Sequence, residues 1–371
     1  MTPIPLFYPH VSAKMRKAVN ETLKTRWIGQ GPKVDEFEKE VSERFGNKTP
    51  ILPVAVNSAT SALELAYELV GLKAGDEVIS TPYTCTATNI PLLRRGVKIV
   101  FADIRKNSMN IDGEDILRKV TKKTKAIVVV NMGGIRSWAY EDIREEIGNI
   151  PVITDSSQAF GFTNGDYVIY SFQAIKNITT GDGGMLLCPN EETYKKAKLL
   201  RWFGIDREKK KKMGWQAYKN REMTFDIEYP GYKYQMNDIA ASMGIAALSE
   251  YDDILEKRRK LTELYRFLLE DVVDLSFVES ETVPMSTEEN TFWLFTVLVE
   301  KRDKFAKKMK DHGIEVNMVH IRNDLYKIFG GKRQELPVMN ELEDKYICLP
   351  LHMKLTMEKV AYISKIIKGG W

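Results

Sequence analysis

A lysine, an aspartate and a group of hydroxyls stand where they could act together on one ligand. Lys176 lies in Ser171-Phe172-Gln173-Ala174-Ile175-Lys176-Asn177-Ile178-Thr179-Thr180-Gly181-Asp182-Gly183-Gly184, between an apolar strand pattern and a turn rich in glycine and hydroxyls. Asp155-Ser156-Ser157-Gln158 follows the apolar run Ile150 to Ile153. If the two strands end side by side, an amine, a carboxylate and hydroxyls meet in one cleft. That set suits pyridoxal 5'-phosphate (PLP): an amine for covalent attachment, a carboxylate for the ring nitrogen, and donors for the phosphate. Asn57-Ser58-Ala59-Thr60-Ser61 runs from a strand into a helix, whose first N–H groups have no partner within the helix and attract phosphate. Thr60, Ser61 and Ser171 are the candidate hydroxyl ligands. A carboxylate at Asp155 would keep a pyridine nitrogen protonated, so that the ring accepts electrons, its other reading being a helix cap; Gln158 is a candidate for the phenolic oxygen or a surface residue.

These residues need a scaffold that brings strand ends together. Short apolar runs at 54–56, 77–80, 98–102, 124–131 and 152–155 alternate with helical patterns at 61–70 and 90–95, after two helices at 11–24 and 33–46. Such alternation predicts an α/β fold, a parallel or mixed sheet covered by helices. Asn57–Thr60, Thr81–Thr84, Asn131–Gly134 and Asp155 follow the strands and are expected to line one crevice. Past residue 245 the pattern changes. A long helix is expected over 246–269, a strand over 291–299, a helix over 304–312, a short strand over 347–349 and a helix over 356–368. The expected domains are therefore 1–245, holding the cofactor, and a smaller α+β domain, 246–371, against which the N-terminal helices are candidates to pack.

Bulk properties exclude several classes. The 371 residues are 43% hydrophobic and 29% charged, with 55 basic against 51 acidic side chains, a formal net charge of +4. So small an imbalance gives no footprint for nucleic acid or a membrane surface. The run Glu208 to Lys212 reads as a solvated loop. Cys85, Cys188 and Cys348 are widely spaced, with no metal-ligand grouping, as in a cytoplasmic protein. No stretch approaches a membrane helix.

The ordered motifs resemble the DegT/DnrJ/EryC1/StrS sugar aminotransferases, within the fold-type I PLP enzymes. They are Trp27-Ile28-Gly29-Gln30-Gly31-Pro32, Gly75 to Ile79 with Thr81-Pro82-Tyr83-Thr84, Asp155 to Ala159, Ser171 to Gly184, Gly231 to Asp238, and Leu349-Pro350-Leu351-His352. The resemblance implies cofactor attachment and proton transfer at Lys176, a ring-nitrogen contact from Asp155, and Gln158 at the phenolic oxygen. It further implies phosphate contacts from Thr60, Ser61 and Ser171, with Lys233 reaching in from the second subunit of a homodimer. Cys85 stands where the family usually has an aromatic ring over the cofactor, leaving Tyr83 as a candidate substitute, and Lys233 stands where asparagine is frequent. A histidine near Asn131 and an arginine near Gln235 are missing. The implied reaction takes the amino group of L-glutamate, through pyridoxamine 5'-phosphate (PMP), to a keto sugar on a nucleoside diphosphate, as in polysaccharide or lipopolysaccharide biosynthesis. Trp27, His320, Arg322 and Asn323 are the expected substrate contacts. Competing readings are an aminotransferase for a cyclitol, a sugar dehydratase, which usually carries histidine at the lysine position, and a silent PLP-fold regulator.

Overall fold

The computed structural model describes residues 3–46, 51–209, 227–280, 282–283 and 285–371. Seven strands form the main sheet: β1 (Leu52–Val56), β2 (Glu77–Ser80), β3 (Lys98–Phe101), β4 (Thr124–Val130), β5 (Val152–Asp155), β6 (Tyr167–Ser171) and β7 (Gly184–Cys188). Their spatial order is β1-β7-β6-β5-β4-β2-β3. Only β7 runs antiparallel to its neighbours; the pairs from β6 to β3 are parallel. The central strands are buried along their whole length, which explains their unbroken Val/Ile runs. Pro53 is tolerated because β1 is an edge strand.

Helices α1 (Ala13–Leu23) and α2 (Pro32–Phe45) pack with α8 (Asp238–Leu248) on one sheet face, through Met15, Val34, Phe37, Val41 and Ala241. The opposite face is covered by α3 (Ala59–Leu69), whose Ala62, Leu63, Leu65 and Ala66 are buried against Val54, Ile153 and Leu186. Among the described residues, five further helices follow: α4 (Thr86–Arg94), α5 (Gly113–Lys119), α6 (Ala139–Ile143), α7 (Glu191–Leu200) and α9 (Tyr251–Leu269), the last leading into the C-terminal region. The N-terminal segment touches that region where Ile4 pairs with Ile314, and where the end of α2 meets the start of α9 through Arg44 with Asp252 and Phe45 with Tyr251.

The second sheet is antiparallel, β10-β9-β8, from β8 (Leu275–Phe277), β9 (Phe295–Val299) and β10 (Tyr346–Leu349). It is covered by α9, α10 (Arg302–Asp311) and α12 (Met357–Lys368), with the short α11 (Pro337–Leu342) at its edge. Two expectations need correction. The helix at 246–269 is two helices: Ser249 closes α8, its hydroxyl donating to Ala246 O at 2.8 Å, and Glu250 begins α9 from a non-helical φ of −111°. The strand at 291–299 begins only at Phe295, because Phe292 takes a left-handed φ of 52° and Thr291 and Leu294 donate to Gly134 O and Gly133 O. The Glu208 to Lys212 loop reading lies largely outside the described residues.

Candidate functional site

Strand register brings the two polar clusters together. β5 and β6 are parallel neighbours with Asp155 opposite Ile169, so Asp155 and the segment after Ser171 emerge on the same edge. The excursion from β6 to β7 is closed by Phe172 N donating to Gly183 O at 2.9 Å, and within it Lys176 N donates to Gln173 O at 2.9 Å. This turn projects Lys176 over the sheet edge. Gly184 has no room for a side chain: a Cβ there would sit 2.3 Å from the Ser58 carbonyl carbon. That close approach seats β7 against the first turn of α3.

A cavity of about 1330 Å³ opens at this edge, lined by Ser58, Thr60, Cys85, Asp155, Gln158, Ser171, Lys176, Trp293 and His320 among others. It therefore unites seven of the residues expected from sequence. Burial lowers the Lys176 amine from 10.5 to about 8, against the opposing pull of Asp155 and Cys85. At pH 7 about a tenth of such amines are neutral, against a few in ten thousand for an ordinary lysine. The Asp155 carboxylate is 5% exposed and fixed at both oxygens. Thr88 Oγ1 donates to Oδ2 at 2.8 Å and Ser157 N to Oδ1 at 3.0 Å. Because the Thr88 proton is spent on Asp155, Thr84 must donate across the 2.9 Å contact between the two hydroxyls.

Gln158 and His320 fix each other. Gln158 Oε1 accepts from Gly133 N at 2.8 Å, which turns its amide nitrogen toward His320 Nε2, 3.3 Å away. An amide nitrogen only donates, so His320 Nε2 accepts and Nδ1 carries the proton. Burial and the nearby Lys176 charge lower this imidazole to about 3, keeping it neutral.

Other expected contacts fall elsewhere. Ser61 is 7% exposed, its hydroxyl donating to Asn57 Oδ1 at 2.7 Å; Ser58 and Ala59 line the cavity in its place. Tyr83 is buried edge-on against Tyr346, outside the cavity, so it does not replace the ring missing at Cys85. Arg322 and Asn323 are both 0% exposed and do not reach the cavity. Arg322 forks onto Asp324 at 2.7 and 2.6 Å and bonds Glu343 at 3.0 Å. Asn323 bonds Pro82 O, Thr84 O and Asn89. Trp27 is 41% exposed beside α1 and Asp238, away from the cavity of its own chain. Lys233 is exposed and donates to the side-chain amide oxygen of Gln235 at 2.8 Å, again outside that cavity. Of the expected crevice segments, Thr81–Thr84 is buried behind Cys85, and Asn131–Gly134 acts indirectly, through the Gly133 bond to Gln158.

Trp293 and Phe7 line the cavity without having been expected. Trp293 was hidden in the apparent strand at 291–299. The usable signal was Gly133-Gly134: a Cβ on Gly134 would stand 2.9 Å from Trp293 N, so the glycine marks the approach of another backbone.

The donor set fits PLP: a partly neutral amine, a fixed carboxylate, and the N-capped first turn of α3 beside Thr60 and Ser171. A sheet edge of this kind, with a lysine and an aspartate in one cavity, suits a PLP-dependent enzyme. The chain belongs to the DegT/DnrJ/EryC1/StrS aminotransferase family, which it matches over residues 9–368. It is 31% identical to the spore coat polysaccharide biosynthesis protein SpsC of Bacillus subtilis (strain 168), over 99% of this chain and 98% of that one. It is 29% identical to GDP-perosamine synthase of Escherichia coli O157:H7, over 98% and 97% of the two chains. Its fold matches that of Spr1654 from Streptococcus pneumoniae in the PMP form, with a TM-score of 0.88, 28% identity, and coverage of 99% and 98%.

Proposed function

We propose that this enzyme moves the amino group of L-glutamate to a keto sugar carried on a nucleoside diphosphate, in two half-reactions that share one site. The observation that carries this reading is the Lys176 amine, held partly neutral in the same cavity as Asp155, Gln158, Thr60 and Ser171. The names of GDP-perosamine synthase and SpsC support a nucleotide-linked sugar and a polysaccharide product. PLP, when bound, supplies an electron sink for charge at the substrate carbon. Asp155 holds the proton on the ring nitrogen, and Thr88 and Ser157 keep its carboxylate oriented. Gln158 would offer the phenolic oxygen the second N–H of its amide, the first being directed at His320, while Thr60, Ser171 and the α3 N-terminus would hold the phosphate. Lys176 moves the proton in both half-reactions, a role that a lysine fills and a permanently charged ammonium does not. A lysine at this position, rather than histidine, favours amino transfer over dehydration.

We further assign Lys233 to the phosphate site of a second subunit. It is exposed, lies outside its own cavity, and neighbours the exposed Phe203 at 42%; Trp27 and Ile28, 41% and 54% exposed, add apolar surface for a homodimer. Three free cysteines suit a reducing, cytoplasmic setting. Among the described residues no helix is long and apolar enough to cross a membrane.

The test is to load the protein with PMP and offer a panel of nucleotide-linked 3-keto and 4-keto sugars, following the return of PLP absorbance. Return with one of these sugars, and the reverse bleaching by glutamate, is the expected result. A protein that turns over only unlinked or carbocyclic ketones overturns the substrate assignment.

A further inference from the structure

The Lys176 side chain does not hang free in its cavity. Its Nζ stands 3.7 Å from the centroid of the Trp293 ring, well inside the range for a cation over an aromatic face. The indole is itself held from several sides. Its Nε1 donates to Ile175 O at 3.0 Å, tying the ring to the residue before the lysine. Phe7 stacks on it with centroids 5.9 Å apart, and His320 at 6.3 Å. Behind it, Arg258 donates to Trp293 O at 3.3 Å and to Phe292 O at 3.1 Å, and Gly134 allows the close backbone approach. Trp293 is 1% exposed. A ring so confined offers the lysine one fixed face.

We propose that the Trp293 face is the seat of the Lys176 ammonium whenever that amine is not bonded to the cofactor, and that Trp293 thereby sets the amine's charge state and direction. The proposal rests on the assignment of Lys176 as the amine that binds PLP. In any transamination that amine must leave the cofactor and return, and between those events it stands in a cavity where burial disfavours its charge. The groups facing it are Asp155 from β5, Cys85 at the start of α4, His320 from the loop after α10, and Asp182 from the turn before β7. Asp155 is already engaged by Thr88 and Ser157 and belongs to the ring nitrogen. The neutral His320 adds no charge. The indole quadrupole adds to the Coulombic pull of Asp155 and Cys85 a contact that offsets desolvation of the ammonium without trapping it in an ion pair. Trp293 is a positioning residue on this view: it touches the lysine.

The experiment titrates the amine in cofactor-free protein. Only the neutral amine attacks the PLP aldehyde, so the rate of covalent capture, followed by absorbance against pH, reports its midpoint. In wild type the midpoint is expected below the 10.5 of an ordinary lysine, because burial disfavours the charge. Trp293→Leu should move it down by about half to one and a half pH units, with Trp293→Phe between. Replacing the six tryptophans with progressively fluorinated analogues keeps the shape while weakening the ring quadrupole, and should lower the midpoint step by step. Midpoints that coincide across Trp293→Leu and the fluorinated series overturn the proposal. Lys176→Ala separates the two levels: loss of capture preserves the assignment of the amine, whereas capture by that variant overturns both.

Discussion

Two walls of the cavity are built differently. The strand-end wall carries Asp155 at the last residue of β5 and Lys176 just past β6, and the ladder fixes both: Asp155 is held opposite Ile169, and the Lys176 turn is closed by the Phe172 to Gly183 bond. The loop wall runs from Val319 to Asp324. There Val319 takes a φ of 64°, unusual for a β-branched residue, and His320 N donates to Met318 O at 2.7 Å. That kink turns His320 into the cavity and the next polar residues away from it. The strand wall exposes the chemistry it carries. The loop wall presents Val319 and His320 to the cavity and uses Arg322, Asn323 and Asp324 as fasteners.

The contrast can be broken at several points, the most severe first. Lys176→Ala should abolish both turnover and the visible absorbance of the cofactor-bound protein, measured by spectrophotometry and single-turnover assays; residual turnover near wild type contradicts the assignment of the strand wall. Asp155→Ala should lower kcat by roughly 100-fold or more, in line with removal of a group aimed at developing charge. Its melting curve should change little, since only Thr88 and Ser157 lose a partner. Arg322→Ala should act in the opposite sense. It leaves Asp324 buried and unpaired, at a cost of about 3–5 kcal/mol by denaturant titration, while KM of the folded fraction stays within about twofold. If Arg322→Ala instead raises KM strongly at unchanged stability, the loop wall is a substrate surface after all.

The smaller effects concern His320. His320→Ala should reduce kcat/KM by about tenfold, the size expected when one polar contact that orients Gln158 is lost, with little change in stability. The pH dependence gives a finer reading. The folded imidazole is lowered to about 3 from 6.5, so the unfolded chain binds a proton that the native state refuses. Its contribution is present above pH 6.5 and is lost as pH falls toward 3. His320→Asn should flatten the stability slope between those values by up to about 1.4 kcal/mol per pH unit. Parallel slopes in wild type and variant would mean that the ring is solvated.

The same contrast explains what the sequence disclosed. The α/β alternation, the ends of β5 and β6, and the passage from strand to helix at Asn57–Ser61 were legible because strand period and helix capping are local rules that tertiary packing reinforced. Thr60 and Ser61 were both candidates, and only the angular step of the helix turns Thr60 to the cavity and the Ser61 hydroxyl to Asn57. Arg322 and Asn323 looked like ligand contacts because a polar run after a strand usually meets solvent or substrate. Their burial depends on Asn89, Glu343 and Pro82, far away in the chain, which no local pattern encodes. Trp293 was invisible for a related reason. Its apolar neighbours mimic a strand, and the turn that frees its ring is imposed by Gly134.

The fastening at Asn323 also bears on how the molecule melts. Its amide bridges Thr84 O and Asn89, and Asn89 reaches back to Ser80 at the end of β2. Nearby, Val338 and Met339 donate to Asp103, and Thr291 and Leu294 to the Gly133-Gly134 turn. These bonds sew the three-stranded sheet to the seven-stranded one along a buried seam. Loss of order in either sheet strips partners from the other, so a single calorimetric transition is the expected outcome on heating, and two resolved transitions would contradict it.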